Sequence, residues 1–539
     1  MTLQLFYLTW GTTHGSFRLP ELESVAKLYD INFHLPPFSP NVIEKYNAQG
    51  CGLDEEWDIE GRAILVLGLE KVEDAFKLGE RGVGIRSLHK LYALAPTLAT
   101  LHTVLSQLPR TKEARPWDID LEGDGSTEPK RWKFRFDSFA KMWDSQTQQE
   151  KMIAFDHLEL KGKPDMKTPE LEFGIFEEYL DRPSPAKPDP SATLALPEMV
   201  YYGLLTTHST ARPLLTHYSL KTRPHIGNTS MDAEISLLMA NQALARNGSF
   251  VWDPFAGTGS MLLTCAHWGA FCVGSDIDGR QMRGKEKGKK RAGTPGIKLS
   301  AAKYGTQDQI VDLLTFDVTK NPWRVGRMFD AIVTDPPYGV RAGAKRLGRK
   351  DPSKLRNEPY FFPEGHPDAG KASYELPEYL PPFRPYQISH LAMDLVRLAR
   401  YALKPGGRLV FFLPVVNDEY ESVDVPTIEG MKLISNSVED FGKWARRLIT
   451  LELNINAPAV DAPRFDSESF FGTPSTSKEE APGDDSAPSE QRLPGHHNFR
   501  EKFFTKVIKS ASTGLGNEAK AQSEFESESV AEAVDTHST

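Results

Sequence analysis

FVWDPFAGTGS, residues 250–260, is the stretch on which the fold turns. An apolar run from Phe250 to Trp252 reads as a short strand, the glycines follow at once, and a helix opens near Ser260. Gly257 and Gly259 let the backbone turn sharply and approach a ligand, because without a Cβ positive φ is open and the clash is gone. A phosphate-binding loop of this kind would carry a lysine and no carboxylate. Asp253 at the strand end instead offers an acceptor for the ammonium of a methionine moiety. The loop therefore reads as a cradle for S-adenosylmethionine, with Asp253, Phe255, Gly257 and Gly259 as its cofactor-binding candidates.

Outward from this loop the chain alternates strand-like and helix-like segments, as an open parallel sheet requires. Strands are expected at 250–252, 271–274, 313–316, 330–334 and 408–413. A helix is expected over 229–243, with Thr229 or Ser230 as its cap. Another covers 388–403, where Leu391, Leu395 and Leu398 return at helical spacing before KPGG at 404–407 stops it. A hairpin from 431–434 and 446–453 would close one edge. The expected fold class is α/β, a seven-stranded Rossmann-like class I methyltransferase sheet with strand order 3-2-1-4-5-7-6.

Two further strand ends carry acids. In VGSDID, residues 273–278, Asp276 is the first choice for ribose hydroxyls, since an ionised carboxylate accepts both hydrogen bonds; Asp278 is the second. Asp317, after the third strand, is placed to receive an adenine amino group.

The chemistry is expected in IVTDPPYG, residues 332–339. The amino nitrogen of a guanine or adenine is a poor nucleophile because its lone pair is delocalised into the ring. Acceptors on its N–H groups can hold it so that the lone pair faces an in-line methyl donor. The Asp335 carboxylate and the Pro336 carbonyl suit that role, Pro336 and Pro337 stiffen the loop, and Tyr338 offers a stacking face for an extruded or unpaired base.

DPFAGTGS, SDID and DPPYGVR together resemble the class I amino-methyltransferases, whose [DN]PP[YF] motif serves DNA adenine, RNA guanine and protein glutamine. RPHIGNTSMDAEISLLMAN, residues 223–241, resembles the catalytic subunit of the eukaryotic tRNA guanosine-10 N2-methyltransferases, a likeness extending over roughly 200–453. The resemblance implies transfer of one methyl to N2 of the guanosine at tRNA position ten. It also implies an α+β N-terminal region, ferredoxin-like and then THUMP, that grips the acceptor end, and a small zinc-binding activator subunit forming a heterodimer with this chain. The long stretch 339–385 and an acidic tail depart from the pattern. Alternatives are N2-methylation of another tRNA or rRNA guanosine, N6-methylation of adenine, and a non-catalytic SAM-fold subunit that binds RNA. A protein glutamine enzyme would usually carry Asn in place of Asp335.

The 539 residues divide on this reading into an N-terminal RNA-binding region at 1–190, a methyltransferase domain at 191–455, and an acidic tail at 456–539 with a short helix near 498–508. Five prolines between Arg182 and Pro197 set the first boundary, since they exclude both helix and central strand. Residues 109–125 read as a loop. No apolar stretch reaches the length of a membrane span and no signal peptide opens the chain, so a cytoplasmic location is expected. Cys51, Cys265 and Cys272 lack metal-site spacing; they read as packing residues, and no metal is expected.

The net charge of −9 argues against a polyanionic partner only if charge is spread evenly, and it is not. From Arg280 to Lys303 there are nine Lys/Arg against one acid, and from Arg341 to Arg356 seven against one, whereas Asp461 to Arg492 holds eight acids against three bases. Arg280, Arg283, Arg341, Lys345 and Arg346, with Tyr338, are the tRNA-contact candidates. In the expected strand order the third strand is a free edge, so the activator should dock there by strand addition, with Leu314 and Phe316 as its apolar contacts.

Overall fold

The computed structural model describes residues 3–465 apart from 13, 113, 123–128, 140, 180–196, 285–295, 338–343, 350, 352–357, 377–378, 380 and 422–423. The chain forms two units, one made of 1–223 with 231–245, the other of 224–230 with 246–539. Among the described residues no helix is long and apolar enough to cross a membrane.

The first unit is built on a seven-stranded sheet. Its strands are β1 (Gln4–Trp10), β2 (Phe33–His34), β3 (Ile64–Leu69), β4 (Ile85–Ala95), β5 (Trp132–Phe139), β6 (Leu171–Glu178) and β7 (Met199–His208), in the order β2-β3-β1-β4-β7-β6-β5. The first four, with helices Gly15–Tyr29 and Val72–Arg81, make a βαββαβ unit ordered 4-1-3-2, the ferredoxin-like arrangement. Strands β5 to β7 continue the sheet over a second core, where Trp117, Phe155, Phe173 and Tyr202 are buried.

Three expectations change here. The break at 190 falls inside this unit, because β7 lies beyond the proline-rich stretch yet pairs antiparallel with both β4 and β6. The proline-rich stretch itself, 180–196, lies outside the described residues. The expected loop at 109–125 contains the helix Pro116–Glu122, which Trp117 and Leu121 pin to the core. The helix expected over 229–243 spans Ala233–Gln242 and is capped by Asp232, whose carboxylate accepts from the Glu234 N–H at 2.7 Å. Thr229 and Ser230 are not its cap.

The second unit carries β8 (Phe250–Asp253), β9 (Phe271–Asp276), β10 (Ile310–Thr315), β11 (Phe329–Thr334), a small ribbon of β12 (Lys345–Leu347) and β13 (Phe383–Pro385), then β14 (Leu403–Val416), β15 (Met431–Asp440) and β16 (Trp444–Leu453). The main sheet runs β10-β9-β8-β11-β14-β16-β15, with β16 alone reversed against the other six strands. That is the 3-2-1-4-5-7-6 order of the expected α/β fold. Helix Ile388–Ala402 buries Leu391, Leu395 and Leu398 on the core side of its apolar stripe. Strand order reverses between β8 and β9 on one side and β11 on the other. A parallel sheet opens its ligand crevice there, at the carboxyl ends of the strands.

Residues 466–539, with the helix expected near 498–508, lie outside the described residues. Cys51, Cys265 and Cys272 are all buried, and none is in a disulfide.

Candidate active site

The end of β8 delivers Asp253 into the crevice, fully buried. Thr334, the last residue of β11, donates its hydroxyl to Asp253 Oδ1 at 2.6 Å, and the Phe255 N–H adds a second bond at 3.0 Å. Oδ2 is buried with no hydrogen-bond partner among the described residues. Burial pushes the Asp253 carboxyl up to about 7; the neighbouring carboxylates Asp276 and Asp335 add to the shift, against the two hydrogen bonds.

Asp276 closes β9. The N–H groups of Asp278 at 2.8 Å and Gly257 at 3.1 Å hold its two oxygens and tie the glycine loop to the neighbouring strand. Burial raises this carboxyl as well, to about 6. Asp253 thus sits in a cluster in which Asp276 and Asp335, when ionised, make its own ionisation harder.

The two glycines serve different ends. Gly259, at φ 77°, stands before helix Ser260–His267, and a Cβ there would meet the Ile297 side chain at 2.8 Å, so this position needs glycine for folding. At Gly257, φ 49°, the nearest protein atom to such a Cβ is Gln281 Oε1 at 3.5 Å. The space over Gly257 is open on the crevice side. A buried, half-used carboxylate beside a second raised one, with backbone exposed between them, fits a cationic ligand that carries hydroxyls. S-adenosylmethionine, with its ammonium, sulfonium and ribose diol, has that chemistry.

Asp278 caps the short helix Gly279–Met282 and forms an ion pair with Arg280, whose charge holds its carboxyl below the usual value. Both residues of this i,i+2 pair are engaged with each other and partly exposed. Asp317 is buried, and its oxygens already accept from the Thr319 N–H and hydroxyl at 2.8 and 2.9 Å and from the Leu347 N–H at 2.6 Å. It fastens the start of the 345–385 segment to the end of β10. Phe255 is half-buried and packs against the cluster of Ala344, Tyr386, Ile388 and Leu391. Arg283 is exposed and donates to Thr315 Oγ1 at 3.0 Å.

Asp335, Pro336 and Pro337 follow β11 directly, with Pro336 buried and Asp335 and Pro337 partly exposed. Tyr338 and Arg341 lie outside the described residues. Thr334 was quoted in the motif but not singled out; its place one residue before Asp335 is what joins the methyl-acceptor loop to the cofactor carboxylate. The 224–230 segment, part of the 223–241 resemblance, has a bracing role that its local sequence does not announce. The Ser230 and Thr258 hydroxyls lie 2.7 Å apart, and a His225 ring nitrogen lies 2.8 Å from the Gln281 carbonyl, so this segment braces the glycine loop.

Comparison with known proteins agrees with both halves of the chain. The family profile described as the Tmrp11 THUMP N-terminal domain matches residues 58–211, and that of the RMKL-like methyltransferase domain matches 221–350. The chain is 32% identical over 527 residues to the tRNA (guanine(10)-N(2))-methyltransferase of Schizosaccharomyces pombe, spanning 95% of this chain and 98% of that protein. It is 33% identical over 447 residues to the enzyme of that name from Saccharomyces cerevisiae, spanning 83% and 92%. With the tRNA (guanine(10)-N(2))-methyltransferase TRMT11 of Homo sapiens the figures are 30% over 517 residues, 94% and 96%.

Proposed function

The chain belongs to the tRNA (guanine(10)-N(2))-methyltransferase family, and on that premise we propose that it places a single methyl group on the exocyclic N2 of guanosine 10 in tRNA. The observation that carries this reading is the join between Asp335 and the buried carboxylate: Asp335 follows the residue that hydrogen-bonds Asp253. The acceptor of the amino group and the acceptor of the cofactor's positive end are thereby held side by side, at the ends of the paired strands β11 and β8.

S-adenosylmethionine is the cofactor, and it supplies an electrophilic methyl on a sulfonium. The chain's own work is to orient. Asp253 and Asp276 present carboxylates to the cofactor's cationic and hydroxyl groups, and the loop over Gly257 lets the backbone lie against it. The Asp335 carboxylate and the Pro336 carbonyl accept the two N2–H bonds, which turns the nitrogen lone pair toward the methyl and stabilises positive charge as it grows on that nitrogen. Tyr338 stacks on the guanine. The proton lost after transfer has Asp335 as its nearest acceptor in this arrangement.

The finer part of the proposal is the activator. Strand β10 is the free edge of the main sheet, and Val311 on it is 54% exposed. A small zinc-binding subunit adding a strand there would satisfy the unpaired backbone groups of the edge. Its apolar contact would be Val311 in place of the expected Leu314 and Phe316. Those two pack inward against the core, and the Phe316 ring lies 6.2 Å from that of Trp252.

Nucleoside mass spectrometry of tRNA incubated with the purified protein tests both parts, alone and with the activator. N2-methylguanosine at position 10, with no dimethylated product and greater yield with the activator, is the expected outcome. Methylation of another nucleotide, or none in either condition, overturns the first part. Val311→Lys leaving the activator's effect intact overturns the second.

A further inference from the structure

The 345–385 segment makes a ribbon that the main sheet does not need. Strands β12 and β13 pair antiparallel with Arg346 directly opposite Arg384, flanked by Lys345 opposite Pro385 and Leu347 opposite Phe383. The ladder continues at both ends, through Tyr386 N–H to the Ala344 carbonyl and Gly348 N–H to the Pro382 carbonyl, each 2.9 Å. Two anchors fix it beside the crevice: the Leu347 N–H bond to Asp317 at the end of β10, and the Tyr386 hydroxyl bond to Asp394 in helix Ile388–Ala402.

Residues directly opposite on a ribbon project from the same face, and like charges so placed destabilise it. Arg346 and Arg384 share one face. Gly348, two residues on, lies on that face too, and its missing side chain leaves room for Arg384, whose Nε is 3.2 Å from where a Cβ would stand. The Arg346 guanidinium lies over the Tyr386 ring, 5.3 Å from its centre. The Nε atoms of both arginines are buried and have no hydrogen-bond partner among the described residues. Asp394, the acid whose carboxyl feels the Arg346 charge, is engaged by the Tyr386 hydroxyl and by Arg397 at 3.6 Å.

Two arginines are therefore held on one face of an anchored ribbon, their stems packed and no acid set between them by the register. A planar fork of donors matches the geometry of a phosphate, and one anion between two forks would turn the repulsion into attraction. We propose that Arg346 and Arg384 grip one backbone phosphate of the tRNA beside the nucleotide that enters the Asp335 loop. This assignment rests on the tRNA-methylating reading of the site. It adds Arg384, which no basic run in the sequence includes, and gives the 339–385 departure a task. Both arginines act as positioning residues.

The test uses the full chain with Arg346→Gln, Arg384→Gln and Arg384→Glu, measuring tRNA affinity against salt, S-adenosylmethionine affinity, melting temperature, and the split of kcat and KM. Each Gln variant should weaken tRNA binding severalfold and flatten the salt slope by about 0.7–0.9, the value for one lost phosphate contact. KM for tRNA should rise more than kcat falls, with S-adenosylmethionine affinity unchanged. Arg384→Glu creates an opposite-charge pair with Arg346, so it should melt no lower than wild type while binding tRNA less well than Arg384→Gln. Unchanged tRNA affinity and salt slope in all three folded variants would overturn the proposal. So would S-adenosylmethionine affinity falling in step with tRNA affinity, which would put the arginines on the cofactor's carboxylate. Wild-type nucleoside analysis is independent of these readouts, so failure of the ribbon and failure of the guanosine-10 reading remain distinguishable.

Discussion

Each unit of the molecule buries a carboxylate at the end of a strand, and the two are treated in opposite ways. Glu178 ends β6 with its side chain fully buried. It accepts from Arg62 at 2.9 Å, from the Ala63 and Ile64 N–H groups at 2.7 and 3.1 Å, and from the Tyr201 hydroxyl at 2.9 Å. Its own unit saturates it. Asp253 ends β8 equally buried, yet only one of its oxygens is used, and instead of an arginine it has two further carboxylates for neighbours. A buried charge is costly unless paired. The first arrangement therefore serves folding, whereas the second leaves an energetic debt that a cationic ligand removes. Burial and the carboxylate group are the same in both; the partner set separates a structural acid from a binding one.

The largest effect expected around this comparison lies just outside it. Asp335 belongs to the same cluster and in the proposed mechanism accepts from the methyl acceptor, so Asp335→Ala should lower methyl transfer on the order of 10²-fold or more through lost orientation. S-adenosylmethionine affinity should hold. Single-turnover assays beside calorimetry measure both, and near-normal turnover would remove Asp335 from the reacting centre.

Next in size is the exchange of charge for amide at the two buried acids. Glu178→Gln leaves Arg62 without its counter-charge in a site where that guanidinium is mostly buried, and breaking such a pair costs about 3–5 kcal/mol. The folded fraction should still bind S-adenosylmethionine normally. Asp253→Asn should do the reverse, holding or raising the melting temperature of the ligand-free protein at pH 8 while weakening cofactor binding. If Asp253→Asn destabilises as much as Glu178→Gln, the contrast fails and Asp253 is structural.

How far this was legible in the sequence follows from the range of the interactions involved. The placement of Asp253, Asp276 and Asp335 in one crevice could be read because each is the last or next residue of a locally readable strand, and the parallel order brings those ends together. The roles of Asp278 and Asp317 could not. Asp278 is claimed by Arg280 two residues away, and Asp317 by a backbone N–H thirty residues on. The boundary near 190 misled for the same reason. Prolines do exclude regular structure locally, but nothing local says that the strand after them returns to the first sheet. Arg384 was invisible because its meaning comes from lying across from Arg346, a register set by pairing between distant segments.

The smallest expected effect, and the most direct test, is the pH dependence of cofactor binding. Asp253 and Asp276 have folded values raised to about 7 and about 6, above the ordinary value of about 3.9. For the ligand-free protein their contribution to stability is fully present below that ordinary value and is lost as pH rises through about 6 and about 7. A cationic ligand needs them ionised, so it gains what the free protein loses. Calorimetric titration with S-adenosylmethionine from pH 5 to pH 8 should show affinity climbing up to roughly tenfold per pH unit between about 6 and about 7, more steeply below about 6, with protons released on binding, and levelling off above about 7. In Asp253→Asn the upper part of that rise should disappear. An affinity independent of pH in the wild type, or the same rise in Asp253→Asn, would contradict the claim that Asp253 is held in reserve for the cofactor.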